Sequence, residues 1–371
     1  MDKLNAPFRY DIVGSFLRPE AIKTARAQYA QGQITLDRLR DVEDVEVAKL
    51  IERQKAAGLH AVTDGEFRRR WWHLDFLAGF NGIEVYDFET DGFGVKKMMQ
   101  STYVSEPLSF DPAHPFLEGF KRTQEIAGDV PVKQTIAGPN MITLDSVVLS
   151  AQYAANPVYR DLDELREALA KVYQDAIRAF YDAGCRYLQL DDTSWGALFS
   201  KRFRDRITAC GYDPDKLIDV FGDITEAALE GRPSDMVITT HMCKGNFMSH
   251  WLYEGTYETV ARRLLGIRGI DGFFLEYDDE RSGDFGFRTG RSDDLSSVGI
   301  EDHDGVGNVT EAGARSDGVD SEQICALAAR LGGSMGEHVS GGIPGLGGET
   351  DDEQAPSRWV GHEPRQDVRI L

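Results

Sequence analysis

The chain has 371 residues, 41% of them hydrophobic, and a formal net charge of −21. That length suits one large barrel or two ordinary domains with a sizeable core. So acidic a surface argues against nucleic acid and anionic membranes as partners, while leaving room for a local basic pocket. No run of about 18 apolar residues offers a membrane span, and Met1–Tyr10 lacks the basic and apolar regions of a signal peptide. The four cysteines, Cys185, Cys210, Cys243 and Cys325, are scattered rather than framed as disulfides. They point to a reducing compartment, so a cytoplasmic protein is expected.

In chain order, "DIVGSF" from Asp11 is the first expected strand. A helix over Leu36–Ala57 follows, with Thr35 as N-cap and Leu39, Val42, Leu50 and Ile51 as its apolar stripe. Gly58 ends it, and the strand "HAVTDGE" runs to Glu66. Residues 82–110 read as an excursion of short strands and turns. The strand "VPVKQTIAG" comes next. A second helix, Leu165–Ala183, carries Leu165, Leu169, Val172, Ala176, Ile177 and Phe180 on one side, and Gly184 ends it. The strands "RYLQLDD", "MVITTHMC" and "GFFLEYDD" complete a set of six. The recurring unit is a helix, a glycine, a short buried strand and then acidic residues.

Strands alternating with helices predict an α/β fold with a mostly parallel sheet. Six strands in under 290 residues predict a (β/α)8 TIM barrel, incomplete at its last strands. A doubly wound sheet is the alternative, weakened because no G-x-G-x-x-G follows the first strand. The barrel is expected over residues 1–285. Residues 286–371 differ in kind: they hold 16 glycines against 22 in the preceding 285, and only Phe287 and Trp359 are aromatic. No lysine follows Lys244. Apart from a short helix expected around Ser321–Leu331, this composition predicts a disordered tail or a frameshifted reading of the gene.

The sharpest chemical signal is "THMCKGN". His241 and Cys243 stand at i and i+2 at a strand end, so both point to one face. Imidazole and thiolate together suit Zn²⁺. On spacing alone, a half-buried histidine beside a core cysteine is the commoner explanation. The other strand ends shift that balance: they carry Asp64 and Glu66, Asp191 and Asp192, and Glu276. In a parallel barrel all these ends converge on one face. Asp192 and Asp279 are also explained as caps of following helices. Glu66 and Glu276 adjoin apolar strand residues, where a carboxylate needs a cation or donor. Gly14 and Ser15 end the first strand, where backbone N–H groups offer a carboxylate cradle or simply a turn before Pro19. Arg68, Arg69, Arg70, Trp71, Trp72 and His73 offer either a site for a flat anion or a solvated helix face.

Taken together, "GSFLRP", "TDGEFRR", "LQLDD", "THMCKGN" and "FFLEYDDERSGDF" resemble the cobalamin-independent methionine synthase family. The likeness is greatest to short bacterial members that keep only the catalytic C-terminal barrel, and it runs from about Tyr10 to Phe285. The resemblance implies a barrel with a catalytic zinc held by His241, Cys243 and Glu276. It implies that the amino group of homocysteine is held by Glu66 and Asp191, and its carboxylate by Gly14 and Ser15. The partners implied are homocysteine and a methyl donor of the 5-methyltetrahydrofolate type. Two family features lack counterparts: the last cysteine ligand, normally in Ser-Pro-x-Cys-Gly, and an acid histidine. Alkyl transfer to another thiol such as coenzyme M, and an inactive remnant, are the competing expectations.

Overall fold

The computed structural model describes residues 3–8, 10–90, 97–247, 250–276, 282, 299–302 and 305–308. The expected short helix at Ser321–Leu331, Asp279 and nearly all of the tail lie outside the described residues.

The centre is a four-stranded parallel sheet ordered β3 (Lys133–Ala137), β4 (Tyr187–Asp191), β5 (Val237–Met242) and β8 (Gly272–Leu275). The strands before it are β1 (Asn81–Thr90) and β2 (Lys97–Ser109); β6 (Asn246–Phe247) and β7 (His250–Trp251) form a small antiparallel pair, as do β9 (Gly299–Asp302) and β10 (Gly305–Asn308). In the parallel sheet alternate residues face opposite sides. One side presents Ile136, Leu188, Leu190, Ile238, Phe273 and Leu275 to the main apolar core. The other side is enclosed and polar, and its residues stand in rows across the strands. Lys133, Tyr187 and Val237 form one row, Thr135, Gln189 and Thr239 the next, and Ala137, Asp191 and His241 the third.

The helices covering the sheet form where the sequence predicts. The helix Leu36–Ala56 starts at Thr35, whose hydroxyl accepts the Arg38 N–H at 3.2 Å. The helix Leu162–Asp182 starts one turn earlier than its stripe suggests, because the Asp161 carboxylate accepts the Glu164 N–H at 2.9 Å. Its buried stripe of Leu165, Leu169, Val172, Tyr173, Ala176, Ile177 and Phe180 meets the neighbouring helix Pro214–Leu229. Gly184, at φ +101°, takes the chain out of the helix.

Two of the six expected strands are corrected. The "HAVTDGE" segment is reduced to one parallel bridge, Val62 to Val132. The "DIVGSF" segment forms no ladder. Its carbonyls are taken by side chains instead: Lys133 Nζ donates to Ile12 at 2.7 Å, Gln189 Nε2 to Val13 at 2.7 Å and Thr63 Oγ1 to Gly14 at 2.8 Å. The segment is thus held across the polar side of the sheet, and a closed barrel is not seen among the described residues. The 82–110 excursion is one long antiparallel hairpin, β1 with β2, rather than short strands. No helix among the described residues is long and apolar enough to cross a membrane.

The floor of the polar interior is a buried ion pair. Lys133 Nζ lies 3.1 Å from Asp11 Oδ1, and Tyr187 donates its hydroxyl to Asp11 Oδ2 at 2.6 Å. Lys133 also lies 4.0 Å from the Phe274 ring centroid. Removing one member of such a pair strands the other's charge, so Lys133→Ala is expected to destabilise the fold by about 3–5 kcal/mol. A urea midpoint close to that of the wild type would contradict this.

Candidate functional site

The third row of the sheet builds the site. Parallel register sets Asp191 beside His241, and their side chains meet: His241 Nδ1 is 3.2 Å from Asp191 Oδ1. Gln189, one row below, donates to the same Asp191 oxygen at 2.7 Å. The far nitrogen of His241, Nε2, is buried and makes no hydrogen bond among the described residues. An imidazole with one nitrogen held by a carboxylate and the other free is arranged as a metal ligand.

β8 continues the ladder one step past Leu275, where the Glu276 N–H reaches Met242 O at 3.3 Å. This brings Glu276 alongside Cys243. Glu276 is buried, and its Oε2 accepts the Lys244 N–H at 2.8 Å. Cys243 is half-buried. Nitrogen, thiolate and carboxylate donors match zinc in kind. Among the described residues, however, no three His, Cys, Asp or Glu side chains are drawn into a cluster that could hold a metal ion.

Glu66 comes from a strained turn. The "DGE" sequence puts Gly65 at φ +66° and Glu66 at φ +58°, a left-handed conformation that a non-glycine residue rarely adopts. The Asp64 carboxylate holds the Glu66 N–H at 2.8 Å, and the Arg18 guanidinium grips the carbonyls of Arg69 at 3.0 Å and Glu66 at 3.3 Å. The Glu66 side chain is thereby turned into the polar interior. Its Oε1 accepts from Arg69 at 3.3 Å and from Thr135 at 3.4 Å, while Oε2 is buried without a hydrogen-bond partner among the described residues. Burial raises the Glu66 pKa and the nearby Asp191 charge raises it further, against the pull of Arg69. Two carboxylates sharing an enclosed space favour a cation between them.

Gly14 adjoins this pair. A Cβ there would lie 2.9 Å from Thr135 Cγ2 and 3.5 Å from Glu66 Oε1. The structure therefore brings together Gly14, Glu66, Asp191 and His241, with Ser15 next in the chain and Cys243 and Glu276 at the adjoining strand ends.

On sequence, the basic-aromatic run is open between an anion site and a solvated helix face; its first two arginines are spent within the fold instead. Arg68 pairs with Asp44 at 2.6 Å, and Arg69 spends its guanidinium on Glu66 and on Thr135 O at 2.6 Å. Only Arg70 in this run is fully exposed. Asp192 does not cap the following turn either. Its Oδ2 accepts from Asn140 Nδ2 at 2.9 Å and its Oδ1 from the Ser194 hydroxyl. Sequence reasoning also passed over Asp145, an isolated carboxylate inside the apolar run "MITLDSVVL".

The cobalamin-independent synthase catalytic-domain model matches residues 9–252. The chain belongs to that family. An uncharacterised Bacillus subtilis protein, YxjH, is 44% identical over 283 residues, covering 76% of this chain and 73% of that one. A crystal structure described as a "Putative Vitamin-B12 Independent Methionine Synthase" from Listeria monocytogenes is 36% identical, with a TM-score of 0.61. That likeness covers 87% of this chain and 86% of the other. The Corynebacterium glutamicum 5-methyltetrahydropteroyltriglutamate–homocysteine methyltransferase is 27% identical over 240 residues, which span 63% of this chain and 29% of that longer protein.

Because Thr135 stands where a Gly14 side chain would go, Gly14→Ala should push Thr135 off Glu66 and cost about 1–3 kcal/mol, the usual penalty for overpacking. Thermal melting of the variant beside Gly14→Ala/Thr135→Ser, which removes the clashing methyl, checks this. Equal losses in both would show that the clash is not the cause.

Proposed function

We propose that this chain transfers a methyl group to the thiol of homocysteine to form methionine, with zinc as cofactor and a donor of the 5-methyltetrahydrofolate type. The observation that carries the reading is the facing pair of carboxylates. Glu66 and Asp191 are buried within electrostatic reach of each other, and Glu66 Oε2 lacks a hydrogen-bond partner among the described residues. An ammonium group placed there would satisfy both carboxylates. The Gly14–Ser15 backbone beside them would take the amino acid's carboxylate.

His241, Cys243 and Glu276 would hold the metal. Zinc bound there would supply an ionised thiol at a pH where a free thiol is mostly protonated. Everything else falls to the chain's own residues. Asp191 holds His241 at Nδ1 and so keeps the buried Nε2 turned away from itself. Arg69 fixes Glu66, and the Arg18 clamp fixes the turn that carries it. The thiol is then presented in one direction, which is the entropic part of catalysis.

A thiol without an amino group, such as coenzyme M, would bring no ammonium to Glu66 Oε2, the oxygen that Arg69 and Thr135 do not reach. The carboxylate pair therefore favours an amino-acid acceptor, and a panel of thiols assayed with the purified protein separates the two.

Cys243→Ser should lower zinc content and homocysteine methylation together. Asp191→Ala, which removes the carboxylate behind His241, should weaken zinc affinity roughly 10–100-fold. Metal analysis and activity are measured on the same samples. Full activity from zinc-free protein would defeat the reading, and a folded chain that binds neither zinc nor homocysteine would mark it as an inactive relative.

A further inference from the structure

Lys244 follows Cys243 at the end of β5, and it is fully buried. Burying an ammonium is costly unless hydrogen bonds and polarisable groups replace its water. Here Nζ donates to the carbonyl of Gly255 at 2.5 Å and to that of Ser282 at 2.9 Å. The rings of Phe199 and Tyr257 lie beside it, their centroids 4.9 Å and 4.5 Å from Nζ. An apolar side chain of similar length would fill the space without the desolvation cost, but it would hold neither carbonyl.

Those two carbonyls belong to the segments that lead away from two of the proposed metal ligands. Gly255 lies on the chain after Cys243, past the small β6–β7 pair, and Ser282 lies on the chain after Glu276. The backbone of Lys244 binds the same two segments. Its N–H donates to Glu276 Oε2 at 2.8 Å, and its carbonyl accepts the Tyr253 N–H at 2.9 Å. The next carbonyl, that of Gly245, accepts the Leu252 N–H at 2.9 Å. Tyr257, one of the two rings beside the ammonium, donates its hydroxyl to the Glu276 carbonyl at 2.9 Å. Glu276 is thus held at its N–H by Met242, at its carbonyl by Tyr257 and at its carboxylate by Lys244.

Resting on the zinc reading above, we propose that Lys244 is a positioning residue of the metal centre, a buried strap that sets Glu276 against Cys243. Strand pairing alone does not do this. The β5–β8 register ends at Met242 and Leu275, and the 3.3 Å bond from the Glu276 N–H to Met242 O is its last rung. Beyond that rung the two ligands sit on diverging segments, and Lys244 ties both. Its backbone fixes the Glu276 carboxylate, and its ammonium closes the chain on either side. Lys244 itself is spent on carbonyls and rings, so it acts on a metal through Glu276. Tyr257 does the same from the carbonyl side.

The test reads metal binding by the full chain, apart from turnover. Lys244→Met keeps the length of the side chain and removes the ammonium. Tyr257→Phe removes only the hydroxyl that holds the Glu276 carbonyl. Zinc affinity, measured by competition with a chromogenic chelator, should fall roughly 10–100-fold in Lys244→Met, the usual effect of losing a group that orients a metal ligand. It should fall in Tyr257→Phe as well. Placed in a Glu276→Ala background, either substitution should cost little further affinity, because the ligand it positions is already gone. With cobalt(II) in place of zinc, the visible spectrum of Lys244→Met should move toward that of Glu276→Ala, while the thiolate charge-transfer band of Cys243 persists.

A lysine that only supports the fold would cost the same affinity in both backgrounds and would leave the cobalt spectrum of the bound fraction unchanged. Either result would overturn the proposal, as would wild-type zinc affinity in a folded Lys244→Met. Should Lys244→Met fail to fold, Tyr257→Phe carries the same comparisons, and wild-type affinity there overturns the proposal equally. A wild type that binds no zinc would remove the zinc reading itself. A wild type that binds zinc no more tightly than its variants would remove only the role of Lys244.

Discussion

The contact between Asp191 and His241 is the hinge of the site, and it exists because two parallel strands share a register. Side chains at paired positions of parallel strands face the same way, so one residue of slip in β5 would send His241 to the apolar side. The register is guarded from below. Lys133, Asp11 and Tyr187 lock the lowest row, and Gln189 ties the middle row to Asp191 and to the Val13 carbonyl. Val237 and Ile238 fix the start of β5, with the Ile238 N–H held by Asp271 at 2.8 Å. The geometry at the top of the sheet is inherited from polar contacts at its base.

Those contacts have a cost that shapes the rest of the fold. An enclosed polar face cannot hold itself together by burial of hydrocarbon. The opposite face does so: Ile136, Leu188, Leu190, Ile238, Phe273 and Leu275 pack under the helices with almost no exposure. The sheet is two-faced in chemistry although every strand is buried on both sides. This also explains why the first segment, from Asp11, joins the sheet through side chains. Lys133, Gln189 and Thr63 need acceptors, and the carbonyls of Ile12, Val13 and Gly14 supply them.

That exchange marks the limit of what the sequence could tell. Four strands, both long helices and the Thr35 cap were legible, because apolar periodicity and capping residues are local signals. The convergence of Glu66, Asp191 and His241 was legible too, since a parallel sheet gathers its strand ends. The failures were non-local. Nothing in "DIVGSF" shows that its carbonyls will be claimed by Lys133, more than 100 residues away. Nothing in "RRRWW" shows that Arg68 and Arg69 will be spent on Asp44 and Glu66. The left-handed Glu66 was half-visible, because Asp-Gly announces a turn but not which side chain the turn will aim inward.

The acidic residues at the mouth show how one residue type is divided among tasks by its surroundings. Asp191 is held by Gln189 and set against His241, so it orients. Glu66 is buried with Oε1 held by Arg69 and Thr135, while Oε2 has no hydrogen-bond partner among the described residues. Asp192 faces the opposite side from Asp191 and ties the end of β4 to Asn140, whose amide also reaches Phe221 O and Thr225 on the helix Pro214–Leu229. Asp145, raised by burial to about 7, stands on a π-helical segment. Groups of the same kind are thus set to different tasks by burial and by the partners each one holds. Full charge on all four would add to their mutual repulsion, with Arg69 beside Glu66 and Arg206 opposing Asp145 as the balancing cations. Burial answers this by raising three of the four toward protonation, Glu66 among them, with Asp145 raised to about 7 and Asp192 to about 6.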